Sequence, residues 1–292
     1  MRLVIQGVAT PEQLRHISKL SCSRPIPLGN SAYSLDADGG DYAKISAYCA
    51  GQAIDCACVP ASLSLERFGL AVMDMDSTLI SIETIDEIAD LQGLRAEVAA
   101  ITDSAMRGEI EYAESLRQRV ALLAGEDEAA LRRVYDERLR LNPGAETLLA
   151  GLRQRGIKTM LLSGGFTFFT DRLKARLGFD YAAANTLEII DGKLTGRLLG
   201  DVLDAQGKED WLVRVRDELG LGKEQVIAIG DGANDIKMLA AAGFGVAYHA
   251  KPIVRAQATC ALNHVGLDGV LNLLAGSPAG QARGAELALD CA

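Results

Sequence analysis

The sequence predicts an α/β protein: a parallel sheet wound with helices, interrupted by a helical insertion and preceded by a small α+β unit. Three observations carry this. Past residue 70, short apolar runs alternate with helical patterns: residues 70–73, 158–162, 226–229 and 245–248 read as strands, each separated from the next by helix. Between residues 83 and 140 only helical periodicity is present. The first 59 residues run strand, helix, strand pair, helix, strand, an order that suits a two-layer α+β sandwich.

In chain order, the first strand covers residues 2–6 and the first helix opens at Thr10-Pro11, where a threonine followed by proline is a start signal, and runs to about residue 20. A turn at Gly29-Asn30, a break at Gly39-Gly40, a helix over 41–50 and a strand over 53–59 complete the unit. Residues 60–69 read as a linker, which gives domains of 1–65 and 66–292. The run 70–73 ends in acids, as a buried parallel strand does at its carboxyl end. The insertion, at about 80–141, holds about four helices broken near Gly93, Gly108 and Gly125. Beyond Asn142-Pro143-Gly144 come a helix over 145–155, the strand 158–162 and a helix over 166–177. A hairpin of 187–190 with 194–198 turns on Asp191-Gly192. The remaining elements are a helix over 209–219, the strand 226–229, a helix over 235–242 and the strand 245–248. Strand–helix repeats call for right-handed crossovers and hence a parallel sheet.

The chain has 292 residues, 49% of them hydrophobic, enough for one large core and a smaller unit. Its formal charge of -9 argues against nucleic-acid or acidic-membrane partners, but not against a small anion held by local cations and a metal. The six cysteines (Cys22, Cys49, Cys56, Cys58, Cys260 and Cys291) show no paired C-x-x-C spacing and read as reduced thiols. With no signal-like or membrane-length apolar run, the expectation is a soluble cytoplasmic protein. His16, His249 and His264 lack partners at metal spacing and read as structural, and Trp211 as core packing.

Ligands of open parallel sheets bind beyond the carboxyl ends of the strands. There the sequence places Asp74-Met75-Asp76-Ser77-Thr78, then Ser163-Gly164-Gly165, then Gly230-Asp231-Gly232-Ala233-Asn234-Asp235, with Lys208 in a polar stretch before a helix. Taken singly, a strand-end aspartate is more often a turn former or helix cap, and a lone lysine a solvated charge. Together they suit phosphoryl transfer, which needs charge neutralisation more than covalent ingenuity. A hard cation prefers carboxylates with phosphate oxygens, and a carboxylate can itself be the nucleophile. Asp74 and Asp76, two apart past a strand end, can share the tasks of attack and of protonating the leaving oxygen.

These four ordered motifs (D-M-D-S-T, L-L-S-G-G, Q-G-K and G-D-G-A-N-D) resemble those of the haloacid dehalogenase (HAD) superfamily. From residue 70 to about 275 the chain looks, more narrowly, like the bacterial phosphoserine phosphatases. The likeness takes in E-T-I-D-E-I-A from Glu83, A-M-R-G-E from Ala105, S-L-R-Q-R-V from Ser115 and S-G-G-F-T-F-F from Ser163. It implies a Rossmann-like hydrolase core with a helical cap, Mg2+ as cofactor, and O-phosphoserine as substrate. It also implies that Asp74 is nucleophile and metal ligand, and that Asp76 is general acid/base, ligating through its backbone carbonyl. Asp231 would be the third metal ligand. Ser163, the Gly164 amide, Lys208 and Asn234 would hold the phosphoryl group, with Asp235 outside this set, orienting a metal water or Lys208. The resemblance assigns Glu83 to the substrate ammonium and Arg119 to its carboxylate, where a planar guanidinium pairs bidentately. On helices rich in charge, such residues more often pair with one another at the surface. Met106 and Tyr112 match pocket-wall positions, Tyr112 standing where phenylalanine is common. The N-terminal unit is similar in element order to the amino-acid-binding ACT class, leaving regulation, dimerisation as a homodimer, or no role open. Phosphate transfer to an alcohol such as homoserine, a broad sugar phosphatase and a decayed amino-acid sensor are the rival readings.

Overall fold

The computed structural model describes residues 1–7, 10–29 and 31–276. Asn30 of the expected first turn and Cys291 lie outside the described residues. The N-terminal unit comprises β1 (Arg2–Gln6), α1 (Pro11–Ser21), β2 (Ile26–Gly29), β3 (Ala32–Asp36), α2 (Tyr42–Gly51) and β4 (Asp55–Val59). Thr10 and Gln13 close a reciprocal capping box at the start of α1, behind Pro11, so three neighbouring residues fix where that helix begins. The four strands form an antiparallel sheet in the order β2-β3-β1-β4.

This sheet has two apolar faces, as strand alternation dictates. Leu3, Ile5, Leu35, Ile45 and Cys49 close a small core beneath the helices. Val4, Ala57 and Val59 point the other way and join the main core. The seam is polar as well as apolar. Asp55, 2% exposed, accepts from the amides of Asn263, His264 and Val265 at 2.7, 2.9 and 3.0 Å. Arg2 Nη2 donates to the Leu273 carbonyl at 2.6 Å. Residues 60–69 are more than a linker: a 3₁₀ turn at Leu65–Arg67 buries Leu65 and Phe68 in the main core, because both are apolar and face it.

The second sheet has seven strands in the order β11-β10-β9-β5-β6-β7-β8. These are β5 (Leu70–Asp74), β6 (Lys158–Phe166), β7 (Tyr181–Ile190), β8 (Lys193–Leu199), β9 (Val226–Gly230), β10 (Phe244–Tyr248) and β11 (Cys260–Leu262). All neighbours run parallel except β7 and β8, which form the hairpin. Central β5 and β9 are buried along their whole length, as parallel strands covered on both faces must be. Two expected bounds move. β6 continues through Ser163, Gly164 and Gly165 with a register shift after Leu162, and β7 begins at Tyr181, several residues before its apolar alternation starts. β11 was not expected; its three residues carry too short a pattern.

The helices around this sheet are α7 (Ala145–Gln154), α8 (Thr167–Leu177), α9 (Ala205–Glu218), α10 (Ile236–Ala241), α11 (Pro252–Arg255) and α12 (Gly269–Leu273). Asp204 caps α9 by accepting from the Gly207 amide, so Lys208 lies in its first turn rather than before the helix. Trp211 is half-buried, with the Arg214 guanidinium 4.5 Å from its ring centroid. Between β5 and β6 the chain leaves at Ile80 and returns at Leu141, which bridge antiparallel. In between lie α3 (Thr84–Leu91), α4 (Arg95–Met106), α5 (Tyr112–Ala121) and α6 (Ala129–Arg133), the last continued by a π turn. No helix among the described residues is long and apolar enough to cross a membrane.

Candidate active site

Three parallel strands deliver the polar groups to one rim: Asp74 ends β5, Ser163 lies in the outgoing part of β6, and Asp231 follows β9. Past Asp74 the chain makes a wide turn over Met75–Leu79, with Ser77 in the left-handed region at φ 55°. That geometry is costly for a non-glycine residue and survives because its neighbours hold it. The Asn142 side-chain amide donates to the carbonyls of Thr78 and Ile80 at 2.9 and 3.1 Å, and the Ser77 hydroxyl donates to Glu83 at 2.7 Å.

Lys208 is fully buried, its ammonium 2.6 Å from both Asp74 Oδ1 and Asp235 Oδ1. Burial works against its charge, but Asp235 and Asp74 outweigh burial and hold it well above the usual lysine range. Asp74 is pushed upward by burial and by the charge of Asp235, against the pull of Lys208. Asp235 Oδ2 turns back to accept from the amides of Asp231 and Gly232 at 3.1 and 2.9 Å, fixing the acidic loop. Asp231 accepts from the Thr78 hydroxyl at 2.8 Å, and burial followed by Asp235 pushes it up to about 6.

Carboxylate oxygens of Asp74, Asp231 and Asp235 all lie within 4.8 Å of one another. This all-oxygen, multiply anionic donor set fits a hard divalent cation better than a soft one. The Asp76 carboxylate is not part of that cluster. It accepts from the Thr84 amide at 2.8 Å and the Ser163 hydroxyl at 3.0 Å, while burial raises its pKa against those hydrogen bonds. Ser163 Oγ in turn accepts from the Gly165 amide at 2.8 Å.

Gly165 is required here, since a Cβ would stand 2.7 Å from Asp76 Oδ2. A Cβ on Gly164 would collide with the Tyr112 hydroxyl, so glycine lets the cap tyrosine meet the β6 backbone. Burial pushes that phenol up to about 12 and keeps it protonated.

Glu83 and Arg119, on separate cap helices, face the same cavity of about 780 Å³ as Asp74, Asp76, Gly164 and Asn234. Burial, then the Asp76 charge, push Glu83 up to about 8, with the Ser77 hydrogen bond opposing. Among the described residues Arg119 donates only through Nε, to the carbonyl of Ser115 at 3.4 Å, which leaves most of its donors for a ligand. Met106 on the cap and Ile253 on the core, 64% and 59% exposed, line the same cavity, and Lys251 Nζ lies 3.9 Å from Met106 Sδ. A larger cleft of about 880 Å³ runs between Ser64 and Arg155 and shares no residue with this cavity.

All nine expected site residues thus lie within one constellation or its hydrogen-bonded shell. The sequence reading had Asp235 orienting a metal water or Lys208, and it does bond Lys208, but that reading missed that its carboxylate also joins the acidic cluster. It also missed Thr78 and Thr84, whose roles depend on the fold of the turn.

The pattern of the haloacid dehalogenase-like hydrolases matches residues 71–240. A phosphoserine phosphatase of Polaromonas sp. is 55% identical over 217 residues, covering 73% of this chain and 92% of the relative. The unliganded structure of a probable phosphoserine phosphatase from Vibrio cholerae superposes with a TM-score of 0.84 at 40% identity. That match covers 97% of this chain and 88% of the other, so the N-terminal unit is included. A phosphoserine phosphatase solved as a phospho-aspartyl intermediate analogue matches with a TM-score of 0.66 at 39% identity, over 70% of this chain and 97% of its own.

Proposed function

The chain belongs to the haloacid dehalogenase-like hydrolases, within their phosphoserine phosphatases, and from that premise we propose that it hydrolyses O-phosphoserine to serine and phosphate through a phosphoryl group carried on Asp74. The observation that carries the residue assignment is the division of labour between two acids. Asp74 is paired with a buried ammonium beside an acidic cluster, while Asp76 is held apart from it by Thr84 and Ser163.

One Asp74 carboxylate oxygen attacks phosphorus as the bond to the serine oxygen breaks. Asp76, whose pKa burial raises, gives its proton to that oxygen. The resulting carboxylate then takes a proton from the water that attacks phosphorus, releasing phosphate and restoring Asp74. Lys208, Ser163, the Gly164 amide and Asn234 hold the phosphoryl oxygens. Asp74, Asp231 and the main-chain carbonyl of Asp76 would hold Mg2+, with Asp235 beside them. When bound, the ion supplies positive charge that favours ionised Asp74 and screens the phosphoryl oxygens. Glu83 takes the substrate ammonium and Arg119 its carboxylate, while the cap excludes bulk water.

We assign residues 1–65 to an ACT-like unit serving regulation or homodimer formation, and residues 66–292 to the phosphatase with its cap at about 80–141. The described cysteines are free thiols, in keeping with a cytoplasmic setting. Phosphate release from O-phosphoserine and from a sugar phosphate, each with Mg2+ or with EDTA, tests the reading. Release from phosphoserine that depends on Mg2+, with little from the sugar ester, is expected; undiminished release in EDTA contradicts the metal assignment, and equal release from both esters contradicts the substrate.

A further inference from the structure

Ser115 lies in the first turn of α5 and is completely buried, yet its hydroxyl has no hydrogen-bond partner among the described residues. A helical serine ordinarily returns its hydroxyl to the carbonyl of the preceding turn. Here the Glu111 carbonyl accepts from the Ser115 amide, at 2.9 Å, and among the described residues the hydroxyl makes no bond to it. A buried donor left without an acceptor is destabilising and calls for an explanation, which a ligand can supply where the group lies in the wall of a binding cavity.

Its surroundings say what that is. Ser115 lines the catalytic cavity, between Tyr112 one turn before it and Arg119 one turn after it. Its own carbonyl meets Arg119 Nε at 3.4 Å, so the hydroxyl and the guanidinium belong to the same helical turn. Glu83, the anion suited to an ammonium, comes instead from the start of α3. The group beside Ser115 is therefore the anionic end of an amino-acid ligand.

We infer that the Ser115 hydroxyl is a second donor to the substrate carboxylate, alongside Arg119, and thereby a determinant of selectivity for amino-acid phosphates. This rests on the phosphoserine reading above. Arg119 supplies charge; the hydroxyl fixes the second direction from which the carboxylate is held, and its desolvation is compensated only when a carboxylate arrives.

The test compares O-phosphoserine with O-phosphoethanolamine, which keeps the ammonium and the phosphate but lacks the carboxylate. Equal kcat/KM for the two esters in the wild type removes the substrate reading and this inference together. In a selective wild type, Ser115→Ala is expected to lower the ratio of kcat/KM values about ten- to hundredfold, through KM for phosphoserine, as befits a hydrogen bond to a charged acceptor. The free variant is expected to melt no lower than the wild type, since alanine removes an unpaired polar atom. An unmoved ratio, or an equal fall on both esters, overturns the inference. Ser115→Cys, of similar size and a weak donor, reads the same ratio should the alanine variant fail to fold.

Discussion

The backbone amide of Thr84 donates to Asp76 Oδ1 at 2.8 Å, so an acid from the core turn closes the first turn of a cap helix. One of that helix's orphan donors is satisfied by the residue assigned to proton transfer. Cap position and the orientation of Asp76 are thereby linked.

Asp76→Asn keeps an acceptor for Thr84 but cannot exchange a proton. We expect kcat to fall about 10²–10⁴-fold, with a small change in KM and a melting temperature close to that of the wild type. Steady-state kinetics and a thermal melt check this together; a kcat within a factor of a few of the wild type contradicts the role.

Glu83 gives a pH signature. Burial and the Asp76 charge push it up to about 8 in the free protein, from an ordinary value of 4.5. A folded-state pKa raised above the unfolded one means that this group's stabilisation is complete below the unfolded value and lost as pH rises through the folded one. The melting temperature of the substrate-free protein is therefore expected to fall between about pH 5 and pH 8, and Glu83→Gln to flatten that slope. Binding an ammonium requires the carboxylate, so kcat/KM should rise over the same interval, and the variant should lose that limb. Identical pH profiles for wild type and variant contradict the assignment.

Much of this was legible in the sequence for identifiable reasons. Asp74, Ser163 and Asp231 follow apolar runs that could only be buried strands, so their placement at one rim followed from strand polarity. Thr10 and Pro11 announced α1 through local chemistry. What was hidden depends on long-range packing. The Asp55 contacts with residues 263–265 span more than 200 positions, and no local pattern marks them. The burial of Leu65 and Phe68 was concealed by proline and serine around them, which made the stretch look like a spacer. Asp235 was expected to orient Lys208, 27 residues away, and it does; its place in the acidic cluster was hidden because that depends on how the loop folds back.

Lys208 separates two buried carboxylates, so Lys208→Met leaves Asp74 and Asp235 facing each other. Breaking such a buried ionic set costs about 3–5 kcal/mol. Without a divalent cation the variant should melt well below the wild type, and kcat should fall about 10²–10³-fold from the loss of a phosphoryl-binding charge. Denaturant unfolding in EDTA measures the first effect; unchanged stability there contradicts the ionic arrangement.

The acidic cluster predicts a linked metal effect. Asp231, pushed up to about 6, must be ionised to serve as a ligand, so Mg2+ should raise the melting temperature more at pH 7 than at pH 5. Asp231→Asn should abolish most of that difference. A shift equal at both pH values, or retained in full by the variant, contradicts the cluster as the binding site.

The central claim is that Asp74 carries the phosphoryl group. Rapid acid quench of the wild type with 32P-labelled O-phosphoserine, followed by digestion and mass analysis, addresses it directly. The prediction is an acid-stable, alkali-labile acyl phosphate on the peptide containing Asp74, absent from Asp74→Asn, whose turnover falls below detection. Label on another residue, or phosphate release by Asp74→Asn at the wild-type rate, contradicts it.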